Sequence, residues 1–302
     1  MHSRFSPDRQ LTVRMLTVLF LLGLLYVAFI AALIVLLKNT ALVVLVVVAL
    51  LLAQFWFSDR IALFAMRAVE VTPEQQPHLH GAVDRLCTLA DMPKPRIAVA
   101  RTPLPNAFAT GRSADHAVLC VTTGLLDRLD EDELEGVLAH ELSHVAHRDV
   151  AVITVASFLG VLAGLLVRFT LYAGLLGGRG RRANQNTALV MVAVMGVSVA
   201  VYTVSFLLIR ALSRYRELAA DRSAALLTGK PSALASALTK VSGDIALIPG
   251  KDLRTAQNLN AFFFAPALTR ERSLANLLST HPTLERRLEA LARIAVDLGR
   301  SG

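Results

Sequence analysis

The stretch His140-Glu141-Leu142-Ser143-His144 decides how this 302-residue sequence is interpreted. Positions i and i+4 of an α-helix lie on the same face, about 5–6 Å apart. Two imidazoles at this spacing can therefore reach one Zn²⁺ ion at about 2.0–2.1 Å. A carboxylate between them, here Glu141, is placed to accept a proton from a water molecule at the ion. The five residues predict a metal site with a general base beside it.

The residues around this motif predict that it lies on a helix over 131–148. Asp130 and Glu133 have the spacing of a helix N-cap and its reciprocal partner, known as a capping box. Apolar side chains recur at helical spacing at positions 134, 137, 138, 142 and 145. The simpler alternative is that the two histidines and Glu141 lie on an exposed helix face and bind no metal.

A third ligand is required, because a catalytic zinc takes three protein ligands and leaves one position open. The segment Arg216-Glu217-Leu218-Ala219-Ala220-Asp221 offers one. Glu217 and Asp221 share a helix face at i and i+4. Glu217 can therefore coordinate the ion, while Asp221 accepts a hydrogen bond from a ligating imidazole. The alternative is a surface pair of carboxylates balanced by neighbouring arginines.

Long apolar runs predict that the chain crosses a membrane. Hydrophobic residues make up 54% of the chain, more than an ordinary soluble domain contains. The excess lies in four runs, at residues 15–37, 41–57, 150–167 and 188–209. Since about 20 apolar residues cross a bilayer core, we predict four transmembrane helices. The third run is also compatible with a buried core helix.

These runs divide the chain into four parts. We expect a tail and membrane hairpin over 1–57, a first polar part over 58–149, a second membrane pair over 150–210 and a second polar part over 211–302. Two crossings then separate His144 from Glu217, so both residues would lie on the same side of the membrane. A shared metal site requires this topology.

Short strands precede the motif helix in the first polar part. Residues 96–101, 106–111 and 116–122 have strand-like composition and are separated by turn residues. We therefore expect an α+β fold that is predominantly α-helical and contains a small antiparallel sheet. Further helices are expected over 73–90, 213–229, 231–243 and 283–299.

The distribution of positive charge predicts the orientation of the site. Cytoplasmic loops of membrane proteins carry an excess of Lys and Arg. Cations close to the spans are at positions 4, 9, 60, 67, 148, 210, 214 and 216 on the side of the motif, and at 38, 179, 181 and 182 on the other side. This excess favours a cytoplasmic site, although the cluster at 179–182 weighs against it. No basic face with interleaved aromatic residues is present, so no nucleic-acid partner is expected.

Several further motifs occur in a characteristic order. They are Asn106-Ala107-Phe108-Ala109-Thr110-Gly111, Thr123-Gly124-Leu125-Leu126, Glu133-Leu134, the His-Glu motif, Arg148-Asp149, Arg216-Glu217 with Asp221, and His281-Pro282. Each motif is weak alone, but their order together with the four apolar runs is specific. Over nearly its whole length the chain resembles the HtpX-like integral-membrane zinc metallopeptidases, which are relatives of the CAAX prenyl protease.

The resemblance implies a gluzincin-type peptidase domain that binds one Zn²⁺ per chain. The ligands would be His140, His144 and Glu217, and Glu141 would be the catalytic base. The resemblance also implies a multi-pass protein of a prokaryotic inner or plasma membrane. Such a protein would cleave membrane proteins or unfolded polypeptides at the cytoplasmic face, in protein quality control or a stress response.

The resemblance further suggests that Asn106, His281 and Arg287 contact the substrate. The backbone from residue 106 onward, with Ala107 and Phe108, could offer a sheet edge to which an extended peptide adds as a strand. His281 or Arg287 could donate to the oxyanion of the tetrahedral intermediate. The alternatives are that His281 caps the last helix and that Arg287 is a solvated helix charge.

Other functions remain open at the level of sequence. A non-catalytic membrane scaffold or chaperone would be expected to have a broken motif, whereas all three ligands and the base are present. A transporter would carry ionisable residues within its spans, where Arg168 is the one candidate. A prenyl-protein processing protease is a narrower alternative within the enzyme class. The sequence makes no prediction of oligomeric state.

Overall fold

The chain divides into two compact units in the computed structural model. The structure describes residues 9–37, 40–147, 162–164, 185–247 and 282–300. One unit, which we call the apolar unit, comprises Thr12–Trp56 and Val152–Leu212. The other, the α/β unit, comprises Met1–Leu11, Phe57–Ala151 and Ser213–Gly302.

The described residues form helices and strands in the following order. They are α1 (Arg9–Leu37), α2 (Thr40–Met66), β1 (Ala68–Glu70), α3 (Pro77–Ala90), β2 (Arg96–Ala100), β3 (Ala107–Thr110), β4 (Val118–Thr122), α4 (Thr123–Leu126), α5 (Glu131–Ala146), α6 (Gln185–Thr228), α7 (Pro231–Leu247) and α8 (Leu284–Arg300). The described part of the chain is therefore mostly helical with one small sheet, as the sequence predicts.

Apolar helices account for the high hydrophobic content. Two of the described helices contain segments long and apolar enough to cross a membrane, Leu16–Val35 and Leu189–Thr228. A third is added if Leu45–Phe57 and Asp59–Met66 are counted together as one span. Of the predicted third span, 150–167, only residues 162–164 are described. The number of four transmembrane helices therefore stays a prediction.

The sheet is mixed, and the prediction of a purely antiparallel sheet is wrong. The strand order is β1-β2-β4-β3. β1 pairs with β2 and β3 pairs with β4 in antiparallel orientation, whereas β2 and β4 are parallel, with Ile97 opposite Leu119. A parallel pair needs a crossover of about a dozen residues or more. Residues 101–117, which include β3, supply that crossover and allow β4 to insert between β2 and β3.

Both faces of the sheet are covered by helices of the α/β unit. On one face, Ile97, Val99, Leu119 and Val121 belong to a buried cluster with residues of α3, α5 and α7. On the other face, Ala98, Ala100, Phe108, Val118 and Cys120 are buried together with Ala62 near the end of α2. The alternation of faces along each strand follows from the two-residue period of β-structure.

The start of α5 is fixed by the predicted capping box. The Asp130 carboxylate accepts from the Glu133 backbone N–H at 2.9 Å, and the Glu133 carboxylate accepts from the Asp130 N–H at 3.0 Å. Glu133 also accepts hydrogen bonds from Ser236 at 2.6 Å and Lys240 at 2.7 Å, both on α7. A Cβ atom at Gly136 would lie 3.3 Å from the Leu234 backbone, so α5 and α7 pack closely. These contacts fix the helix that carries the motif.

A tight turn at α4 joins the sheet to this helix. The Thr122 hydroxyl caps α4 by accepting from the Leu125 N–H at 3.2 Å. The Gly124 N–H donates to the Thr102 carbonyl at 2.9 Å. A Cβ atom at position 124 would lie 2.2 Å from the Pro103 carbonyl oxygen. Only glycine allows the turn to approach the loop after β2 this closely, which gives a physical reason for the Thr-Gly-Leu-Leu motif.

We expect Gly124→Ala to destabilise the α/β unit, because the added methyl group must displace the backbone at Pro103. Overpacking of this kind costs about 1–3 kcal/mol or more. The matched control is Gly81→Ala on α3, where a Cβ would meet only the Arg85 side chain at 3.9 Å. The free energy of unfolding of the control should rise by up to about 1 kcal/mol, because alanine has a higher helix propensity than glycine. Thermal unfolding in detergent measures both, and equal midpoints for the two variants would contradict the argument.

Candidate metal centre

Helix α5 presents His140, Glu141 and His144 inside the α/β unit, and all three side chains are buried. The two imidazole rings stand edge to face, with their centroids 4.9 Å apart. The Ser143 hydroxyl donates to the His140 carbonyl at 2.8 Å, so it stays within the helix. The alternative of an exposed helix face is therefore wrong.

Helix α6 brings the carboxylate of Glu217 to these histidines. One Glu217 oxygen lies 3.6 Å from His140 Nε2, and the other lies 3.5 Å from His144 Nε2. The three residues each offer a ligand atom, and these atoms all lie within 4.8 Å of one another. The structure thus brings the three predicted metal ligands together.

These distances fit a single metal ion. Two ligand atoms bound at 2.0–2.1 Å to a tetrahedral zinc are about 3.3–3.4 Å apart. The Nε2-to-oxygen distances of 3.5 and 3.6 Å are close to this value. Two imidazole nitrogens and one carboxylate oxygen are also a donor set that zinc accepts in catalytic sites.

The charges of the buried groups also favour a cation. Three carboxylates, those of Glu141, Glu217 and Asp221, are buried close together, and the Arg287 guanidinium pairs with one of them, Asp221. Buried charges without compensation are costly. A metal ion at the three candidate ligands would add positive charge beside these carboxylates.

Asp221 orients one of the histidines. Its carboxylate is fully buried and lies 2.9 Å from His140 Nδ1. A carboxylate this close to Nδ1 favours the tautomer protonated on that nitrogen, which leaves the lone pair of the ring on Nε2, the nitrogen that faces Glu217. This is the arrangement that the i, i+4 spacing of Glu217 and Asp221 predicts.

Arg287 on α8 is buried with an exposed fraction of 1%, so it is not a solvated helix charge. Its guanidinium donates twice to Asp221, from Nε at 2.7 Å and from Nη2 at 2.6 Å. Its Nη1 lies 3.7 Å from Glu217. Burial alone would lower the pKa of Arg287, but the attraction of Asp221 raises it above the ordinary value.

Glu141 is held by the sheet. The backbone N–H of Ala109 in β3 donates to the Glu141 carboxylate at 3.0 Å. Burial raises the pKa of Glu141 above its ordinary value, and the nearby Glu217 carboxylate raises it further, against the opposing effect of His140 and His144. A carboxylate with a raised pKa is better matched to proton transfer near neutral pH.

The predicted substrate-binding residues lie at and just before β3, an edge strand among the described strands. The Asn106 N–H donates to the Thr122 hydroxyl at 2.8 Å, and its carbonyl accepts from the same hydroxyl at 3.0 Å. Ala107 is buried towards α5, and Phe108 is buried on the opposite face of the sheet. A bound peptide would therefore contact the backbone of this segment and not its side chains. His281 lies outside the described residues.

Two contributors to the site are missing from the sequence prediction. The Ala109 N–H is a backbone group, and the identity of an alanine carries no signal for it. The pairing of Arg287 with Asp221 joins two helices far apart in the chain, and only a comparison of covarying positions in relatives would have indicated it.

The sequence profile described as Peptidase family M48 matches residues 73–295. The chain is 67% identical over 301 residues to "Protease HtpX homolog 1" of Streptomyces coelicolor, covering 100% of this chain and 98% of that protein. It is 49% identical over 300 residues to "Protease HtpX homolog" of Moorella thermoacetica, covering 99% of each.

One solved structure, the crystal structure of Ste24p from S. mikatae, has a similar fold. The TM-score is 0.52 with 18% sequence identity, covering 94% of this chain and 66% of that chain. The present chain therefore spans about two thirds of the length of that protein, and the likeness is one of fold. The expected resemblance to HtpX-like peptidases is confirmed. The chain belongs to peptidase family M48 and is a membrane-bound metalloprotease.

Proposed function

We propose that the chain is a zinc-dependent endopeptidase that cleaves membrane-protein or unfolded polypeptide substrates at the cytoplasmic face, in protein quality control. The observation that carries the catalytic part is the meeting of His140, His144 and Glu217 around one position beside a buried Glu141. Since the ligands and the base are all present, a non-catalytic scaffold is not favoured. The role in quality control rests on the family resemblance.

The zinc ion and the side chains of the protein would supply different parts of the hydrolysis reaction. When bound, zinc supplies Lewis-acid chemistry, which acidifies water and polarises a peptide carbonyl. Glu141 accepts the proton of the attacking water and then passes it to the leaving amine nitrogen. The Ala109 N–H fixes one of the oxygens of Glu141.

Strand β3 is our candidate for the surface that positions the substrate backbone. As an edge strand it has a row of main-chain groups that a peptide can meet as an added strand. Because Ala109 contacts Glu141 directly, a peptide lying along this edge would pass next to the base. The buried side chains of Ala107 and Phe108 then position the strand and do not select the substrate.

We assign Arg287 a positioning role, in place of the oxyanion donor suggested by the resemblance. Its guanidinium is paired with Asp221, which contacts His140, and it also lies close to Glu217. It therefore acts on two proposed ligands, on Glu217 directly and on His140 through Asp221. Through Asp221 it holds His140 in the orientation that ligates, and next to Glu217 it compensates negative charge. Lysine is a poor substitute for arginine here, because its ammonium group does not have the planar pair of donors that matches a carboxylate.

We expect Glu141→Gln to bind zinc as wild type does while proteolysis falls about 10²–10⁴-fold, because the variant lacks only the proton acceptor. The measurements are metal analysis of the purified protein and cleavage of an unfolded membrane protein in detergent. The control is Glu131→Gln on the same helix, where the side chain is 82% exposed. A chelator should abolish wild-type activity and added zinc should restore it. Undiminished cleavage by Glu141→Gln would refute the assignment.

We expect Arg287→Lys to weaken zinc binding about 10–100-fold, as loss of a group that orients a ligand does. Excess zinc should then recover most of the turnover. An oxyanion donor would behave differently: zinc affinity would be unchanged and kcat would fall about 10²–10³-fold at any zinc concentration. Arg286→Lys, at the exposed neighbouring position, is the control and should match wild type in both measurements.

The cytoplasmic orientation is tested with a single introduced thiol. Cys87 and Cys120 are buried, and burial raises their pKa values to about 11 and about 12, so neither should react at neutral pH. Glu131→Cys places a reactive thiol at an exposed position of the α/β unit. A membrane-impermeant maleimide should label it in inverted vesicles and not in intact cells. Labelling in intact cells would show that the site faces outward.

A further inference from the structure

The last ten residues of α2, Phe57–Met66, form a helical segment of the α/β unit whose inner face covers the sheet. We call it the α2 end segment. Ala62 is buried in one cluster with Phe108, Val118 and other sheet residues, and Leu63 and Met66 pack against that cluster. Asp59 on the same face is paired with Arg96 of β2 at 2.9 Å. The orientation of the segment on the sheet is therefore fixed.

The outer face of the α2 end segment is apolar and exposed. Phe57, Ile61 and Phe64 follow one another at i, i+4 and i+7, which places them in one stripe. Their exposed fractions are 47%, 57% and 86%, the last being the largest among the exposed large hydrophobic residues of the described chain. A helix facing water carries polar residues here and large apolar residues inside. In this segment, small Ala62 is inside and the two phenylalanines are outside.

The sequence around the segment indicates what covers this stripe. Its first residue, Phe57, is the last residue of the apolar run 41–57, and Trp56, the single tryptophan of the chain, comes immediately before it. Tryptophan and tyrosine are enriched where a protein leaves the hydrocarbon core of a bilayer. The Arg60 guanidinium lies 5.8 Å from the centre of the Phe57 ring, and Arg67 at the end of the helix is exposed. Apolar rings flanked by arginines are typical of helices that lie in an anionic membrane surface.

We propose that the α2 end segment is an interfacial helix that seats the α/β unit on the lipid surface. The side chains of Phe57, Ile61 and Phe64 enter the boundary between headgroups and acyl chains. Arg60 and Arg67 bind the phosphate groups of anionic lipids. The segment, about 15 Å long, lies along the surface instead of prolonging a membrane span.

This arrangement links the lipid surface to strand β3, which contacts Glu141. Phe108 of β3 is buried in the cluster under the α2 end segment, and the next residue, Ala109, donates its N–H to Glu141 on the other side of the strand. The membrane-facing layer and the site therefore share one strand. The inference rests on the exposed stripe and not on the zinc chemistry, so it stands or falls separately from the proposed function.

A single-tryptophan experiment tests the proposal on the full chain. Trp56→Phe removes the natural fluorophore, and Phe64→Trp then places a reporter on the stripe. The control reporter is Leu89→Trp on α3, which is 48% exposed but belongs to a helix packed on the opposite face of the sheet. The proteins are reconstituted in phosphatidylglycerol–phosphatidylcholine vesicles with and without brominated acyl chains, which quench only tryptophans that reach the lipid.

The tryptophan at position 64 should emit at shorter wavelength and lose most of its intensity in brominated vesicles, while the one at position 89 should do neither. Ile61→Trp gives an independent reporter on the same stripe should Phe64→Trp not fold. Unquenched emission from both stripe reporters would overturn the proposal. So would a blue-shifted emission that is insensitive to bromine and varies with protein density, since a second copy of the chain would then cover the stripe.

The arginines are tested through the lipid charge. Quenching at position 64 should be stronger in vesicles containing phosphatidylglycerol than in phosphatidylcholine alone, and the double substitution Arg60→Gln/Arg67→Gln should abolish this difference. Equal quenching in both lipids before the substitution would overturn the role given to the two arginines.

Discussion

The structure of the site follows from three carboxylates that are buried close together in the described part of the α/β unit. Glu141, Glu217 and Asp221 lie on two helices, and Arg287, which pairs with Asp221, comes from a third. Such a cluster is stable only when its charges are compensated, because ions removed from water lose several kcal/mol each. Arg287 compensates part of this charge, and a divalent cation at the candidate ligands would compensate more of it. The candidate metal site and the packing of α5, α6 and α8 therefore depend on each other.

Rigid elements hold the reacting groups in place. The start of α5 is fixed to α7 through Glu133 and the close approach at Gly136, so its histidines are carried by a helix with little freedom to shift. The sheet meets the same helix from the other side at Ala109 and Glu141. A base whose carboxylate is anchored by a backbone N–H needs little reorganisation when it takes up a proton. The capping box, which is a local folding signal, is thus also part of what aligns the site.

How much the sequence predicts depends on the range of the interaction. The pairing of His140 with His144, the capping box and the three longer strands follow from spacings of a few residues, and the structure shows them close to the predicted positions. Glu217, the third candidate ligand, is distant in the chain and meets the histidines only through the fold. Short spacings do not predict the sheet topology. The parallel pairing of β2 with β4 depends on the path of the chain between them, residues 101–117. Helix α3 begins at Pro77 instead of residue 73, because Thr72 and Gln75 form a turn that competes with helix. The Arg287–Asp221 pair spans distant parts of the chain, and the spacing of residues along one helix cannot reveal it.

The exposure of side chains in the structure adds information that the apolar runs of the sequence do not contain. Phe57 is the last residue of a hydrophobic run, and the sequence alone does not show which residues of that region lie in the bilayer and which lie beside it. In the structure, the inner side of the same helix packs on a sheet through Ala62, and its outer side presents Phe64 to the surroundings. In the proposed arrangement the α2 end segment lies at the boundary of the bilayer, with lipid on its outer side and the sheet on its inner side. Strand β3, whose Ala109 N–H donates to Glu141, is then one layer away from the membrane surface.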